Sequence, residues 1–205
     1  MNTTVAGSVF VALLIGGVIG YSVANKAPAP IPEMPQDTTN MEPQVTASPG
    51  TNEWKIQNAM SAAPISVAQN ATVLDWPGAD GTLPELRKGT NEWTCLPDYP
   101  NSPGNDPICV DQPAMEWFQA YMQKKSPALK QPGLAYMLQG GSDPSNTDPF
   151  AETPAPGEEW MNAPPHVMVF PTGKLDTKVY GTAMNGGPWI MWAGTPYEHL
   201  MMPVE

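Results

Sequence analysis

Positive charge is scarce in this chain. Nine Lys and Arg residues stand against twenty Asp and Glu, for a net charge of −11. Neutralising a phosphate backbone requires a basic footprint, so nucleic acid is excluded as a partner. The same deficit disfavours docking of the folded body on an anionic membrane. Cysteine and histidine are nearly absent too, with two of each in 205 residues. No Cys-x-x-Cys pair and no conventional zinc motif can be drawn from so few. No G-x-S-x-G elbow surrounds a serine, and the acidic residues form no recognised calcium loop.

Proline is what the chain has in excess: 26 prolines and 18 glycines, against a hydrophobic share of 41%. That is enough apolar surface for a core, interrupted too often for long elements. The expectation is a compact, loop-rich α+β body with short antiparallel strands and at least one packed helix. A β-sandwich-like body is the alternative.

Residues 5–24, VAGSVFVALLIGGVIGYSVA, form an uncharged apolar run. As a helix it would rise about 30 Å, one bilayer core. An uncleaved anchor is preferred because no Lys or Arg precedes the run; a signal peptide cleaved after Ala24 is the alternative. Residues 25–52 are Pro-rich and read as a flexible tether. Residues 53–205 then make one domain, placed outside the cytoplasm. Membrane contact would come only through residues 5–24, if they are retained.

Within that domain, Ile56, Met60 and Ala63 are spaced for a short helix ending near Pro64. Residues 111–125, DQPAMEWFQAYMQKK, predict the clearest helix. Asp111 is placed to cap it, Pro113 suits its first turn, and Met115, Phe118 and Met122 supply an apolar face widened by Trp117 and Tyr121. HVMVF 166–170, PWIMW 188–192 and YEHLMMPV 197–204 predict three strands of an antiparallel sheet, with the helix packed on it.

Cys95 and Cys109 lie fourteen positions apart around a Pro- and Gly-rich loop. An even pair in an oxidising compartment predicts a disulfide that holds this irregular segment against the helix beginning near Asp111.

WTCLPDYPNSPGNDPICVD, GLAYMLQGGSDPSNTDPF, PPHVMVF and GGPWIMWAGTPYEHLMMPV together resemble an uncharacterised group of exported bacterial proteins. The resemblance spans about residues 93–204. It implies a bacterial envelope location, periplasmic or extracytoplasmic, and brings no activity or catalytic residue with it.

Two function classes follow. One is a non-catalytic envelope protein that binds an unidentified protein or small molecule. The other is a small enzyme, such as a hydrolase, with His166 or His199 as proton acceptor near Asp106 or Asp148, since imidazole titrates near neutrality. No cofactor is required by either. A third reading starts from HVM at 166–168 and HLM at 199–201. Alternate residues of a strand share a face, so if the two strands approach through those faces, His166, Met168, His199 and Met201 would together present two imidazoles and two thioethers to one copper ion as Cu(I).

Overall fold

The computed structural model describes residues 45–204; the apolar run at 5–24 and most of the tether lie outside the described residues. No helix among the described residues is long and apolar enough to cross a membrane. Thr46 and Ala47, at the end of the predicted tether, donate backbone N–H bonds to the Gln57 side chain, so the chain is fastened to the body just before its first helix.

That helix, α1 (Asn52–Met60), starts where Thr51 accepts from the Trp54 N–H. It satisfies one of the donors a helix start leaves open. A short α2 (Ile65–Ala68) follows Pro64. β1 (Thr72–Leu74), β2 (Glu85–Arg87), β3 (Thr94–Leu96) and β4 (Ile108–Val110) come next.

α3 (Gln112–Met122) begins as expected, with the Asp111 carboxylate accepting from the Ala114 N–H at 2.8 Å. It ends before the two lysines. Lys124 takes a positive φ of 54° and the Lys125 N–H reaches back to the Ala120 carbonyl, a left-handed helix stop of the Schellman kind. β5 (Gly133–Met137), β6 (Gly141–Asp143), β7 (Met161–Ala163), β8 (His166–Phe170), β9 (Trp189–Met191) and β10 (His199–Pro203) complete the chain.

Eight strands form one sheet in the order β2-β1-β3-β4-β5-β8-β10-β9, and β6 and β7 form a separate hairpin pair. All neighbours in the large sheet are antiparallel except β1 and β3. The α+β expectation therefore holds. The predicted strands at 166–170, 188–192 and 197–204 are β8, β9 and β10, adjacent in the sheet.

The disulfide is present, but it joins different elements from those expected. Cys95 on β3 stands directly opposite Cys109 on β4. The bond ties two neighbouring strands at the base of the irregular 97–107 loop, and does not reach across to α3. Short apolar runs on either side of the prolines, TCL and ICV, are enough to extend a strand from each cysteine.

Two cores flank the sheet. On one face Ala59, Ala62, Ala63, Ala68 and Ala71 pack against Val73 and the disulfide. On the other, Trp117 of α3 meets Phe170, Met168, Trp189, Met191 and Met201. α3 lies close to β5 at its start, because a Cβ on Gly133 would come within 2.5 Å of the Ala114 backbone nitrogen. Only glycine permits that approach.

Candidate functional site

The second face does not close. Between its strands, α3 and the loops at 97–107 and 141–160 lies an open cavity of about 810 Å³. Strand alternation explains its floor. On β8, His166, Met168 and Phe170 are buried while Val167 and Val169 are only half-buried on the other face. Pairing extends the pattern. Met201 stands opposite Met168, Met191 opposite His199, Trp189 opposite Met201, and Met137 opposite His166. All line the cavity.

Both predicted histidines therefore share one cavity. Each ring is fixed in the same way. Nδ1 of His166 lies 2.7 Å from the Pro164 carbonyl and Nδ1 of His199 lies 2.9 Å from that of Tyr197. A carbonyl only accepts, so Nδ1 carries the proton in each ring and Nε2 of the neutral imidazole holds a lone pair. Burial keeps the rings neutral. It lowers the His166 pKa against a smaller opposing effect of the Pro164 carbonyl, and pushes His199 down to about 4, with a lesser contribution from His166. His166 is 1% exposed, and its Nε2 is buried without a hydrogen-bond partner among the described residues. The indole N–H of Trp189, on the same floor, is also buried without one. Orphaned buried polar atoms are uncommon in folded proteins, and here an acceptor and a donor belong to two residues that line one cavity.

Aromatic side chains make the walls. Trp192 stacks on Tyr121 at 5.4 Å and 15°, and meets the His199 ring edge-on at 5.0 Å. It holds a left-handed backbone, φ 53°, unusual for so bulky a residue. Its N–H donates to the Asn146 carbonyl and its indole to that of Ser145, which hold it there. Such conformations persist where their surroundings over-determine them, and they gather at binding sites.

The two predicted carboxylates part company. Asp106 lines the cavity but is occupied: it accepts from the Ser102 hydroxyl at 2.7 Å, the Ser142 N–H at 3.1 Å and the Tyr99 N–H at 3.4 Å. It pins the disulfide loop to β6. It also sits near His166, since a Cβ built on Gly141 would lie 3.8 Å from the Asp106 Cβ and 3.7 Å from the His166 Cε1. Asp148 is exposed, accepts from the Phe150 N–H as a turn residue does, and is not among the cavity-lining residues.

Asp143, whose step to Pro144 reads in the sequence as a turn, also lines the cavity. Its carboxyl is pushed up to about 7, chiefly by desolvation and further by the Asp106 charge, against the Ser145 N–H bond. Asp98, within the 97–107 loop, rises to about 6 through desolvation and its bond with Asp106. At neutral pH the cavity lining thus includes neutral imidazoles and a carboxyl poised to give or take a proton.

Met137, Met191 and Trp189 were not singled out as site residues. Their strands are short apolar runs, GLAYM and WIM, and which of their residues meet the histidines depends on the pairing register. Among the described residues no group of three His, Cys, Asp or Glu is placed to hold a metal. Compared with protein-family models, curated proteins and solved structures, the chain matches none.

Proposed function

We propose that the protein is a non-catalytic binding protein of the bacterial cell envelope whose ligand occupies the cavity beneath α3. The observation that carries this reading is an open, aromatic-lined space of about 810 Å³ whose lining includes His166, with a buried and orphaned Nε2. Small-molecule sites fall in that size range and pair apolar walls with a few convergent polar atoms. The Cys95–Cys109 disulfide is consistent with a compartment outside the reducing cytoplasm. The likeness of residues 93–204 to exported bacterial proteins supports the envelope, and residues 5–24 suit an anchor with a Pro-rich spacer behind it.

N-phenyl-1-naphthylamine, a neutral dye that brightens in apolar sites, tests the reading. It should bind saturably, one per protein, and quench the tryptophan emission. Met161→Trp, which adds bulk to a half-buried lining position, should abolish binding while the fold survives. Non-saturable uptake, or binding unaffected by that substitution, would reject the cavity as the site.

A second reading has one observation behind it. Asp143, raised to about 7, and neutral His166 face the same cavity, the divided acid and base that hydrolysis requires. Turnover of simple ester or amide substrates, lost in Asp143→Asn and in His166→Ala, would favour the enzyme over the receptor.

A further inference from the structure

The cavity floor carries a donor set that an apolar ligand leaves unused. His166 has Met137 directly across on β5 and Met168 two residues along its own strand. His199 repeats the relation, with Met191 directly across on β9 and Met201 two residues along. Facing Cβ atoms on paired strands lie about 5 Å apart, and residues two apart on one strand about 7 Å. Unbranched thioethers span both intervals. The two histidines are less close. His166 pairs with Pro203, four residues beyond His199 on β10, which sets them roughly 13 Å apart along the strand. Met168 and Met201, opposite one another, lie between them. By register each imidazole thus has two methionines beside it, and the rings do not converge, so the single site of two histidines and two methionines expected from the sequence does not form.

Three further facts suit a soft metal. Both rings donate Nδ1–H to a backbone carbonyl, the second-layer contact that orients metal-binding histidines and leaves Nε2 as the ligand atom. His166 Nε2 is buried and unpartnered among the described residues. The chain's only two cysteines are joined to each other, so no thiolate competes for the ion. Asp106, the carboxylate near His166, has its oxygens taken up by Ser102, Tyr99 and Ser142, which disfavours a hard cation.

We propose that this floor binds Cu(I) at two positions, one through His166 Nε2 with the Met137 and Met168 sulfurs, the other through His199 Nε2 with those of Met191 and Met201. Thioether and imidazole together select Cu(I) over zinc, calcium or magnesium. Burial of Met168, Met191 and Met201 shields such ions from water. The proposal rests on the reading of the cavity as a binding site and names its occupant there.

The test is an anaerobic titration of the full-length, disulfide-intact protein with Cu(I), supplied as its acetonitrile complex, against the indicator bicinchoninic acid. The native protein should withdraw two equivalents. His166→Ala and His199→Ala should each lose one. Met137→Leu/Met168→Leu, which conserves volume and therefore packing, should lose the same equivalent as His166→Ala, and it keeps the test decisive if an alanine variant fails to fold. No withdrawal by the native protein overturns the proposal. So does retention of both equivalents in the folded variants, or tighter retention of Zn(II) than of Cu(I). Dye titrations on the same samples separate the two readings: saturable dye binding without Cu(I) binding rejects the metal alone, and loss of both rejects the cavity site as well.

Discussion

The two faces of the large sheet solve the same packing problem with opposite materials. One is built from Ala59, Ala62, Ala63, Ala68 and Ala71. Small side chains let α1 sit close on β1, β3 and β4, with the disulfide in the middle of the cluster. The other is built from Trp, Phe, Met and His, with one longer helix over part of it. α3 lies close on β4 and β5, and over the rest of this face large side chains leave the space that is the cavity. The contrast teaches that stability and binding are divided between the faces: one is tight and covalently stapled, the other roomy and carries the buried titratable groups.

Breaking the staple should have the largest effect. Cys95→Ala/Cys109→Ala should lower stability by about 3 kcal/mol, the chain-entropy value for a loop of this length, read by urea unfolding. Dye binding across the sheet should be nearly unchanged. Overpacking the tight face comes next. Ala59→Leu, at a fully buried α1 position, should cost about 2 kcal/mol, whereas Met201→Leu on the cavity floor should cost under about 1 kcal/mol because volume is conserved and space adjoins it. Equal costs would show that the second face is packed as tightly as the first.

A pH comparison sharpens the electrical difference. Asp143 titrates near 7 in the fold and near 3.8 unfolded. A raised pKa means that the folded state holds the proton more tightly, so its contribution is fully present below pH 3.8 and is lost as pH rises through 7. Asp143→Asn keeps the acceptor for the Ser145 N–H and removes the charge. It should leave stability unchanged near pH 4 and raise it by about 2 kcal/mol at pH 8, the shift discounted by half for solvent reaching the half-buried carboxyl. A variant no more stable than the native protein at pH 8 would mean that Asp143 is well solvated.

Much of this was legible in the chain. α3 was marked by Asp111, Pro113 and an apolar face, and β8 to β10 by short apolar runs bounded by turn residues. The cysteine pair was marked by its isolation. HVM and HLM correctly placed each histidine on a face with its methionine. What was hidden depends on register. Met137 and Met191 become neighbours of the histidines only through pairing across β5 and β9, and no local signal encodes which residues of distant segments face one another. Asp143 was hidden for another reason. Asp-Pro is a turn signal wherever it occurs, and desolvation, which sets this carboxyl apart, is a property of the assembled loops. The sequence GTNEW shows the same dependence on context: at 50–54 it caps and begins α1, and at 89–93 it forms the loop leading into β3.

The most direct test of the division between the faces is methionine methyl NMR during titration with N-phenyl-1-naphthylamine. Met168, Met191 and Met201 lie on the cavity floor, whereas Met60 packs against the alanine face. The ε-methyl signals of the three floor residues should shift together to a common saturation point while that of Met60 stays fixed. Equal movement of Met60, or floor signals that remain still as the dye binds, would contradict the assignment of binding to the cavity face.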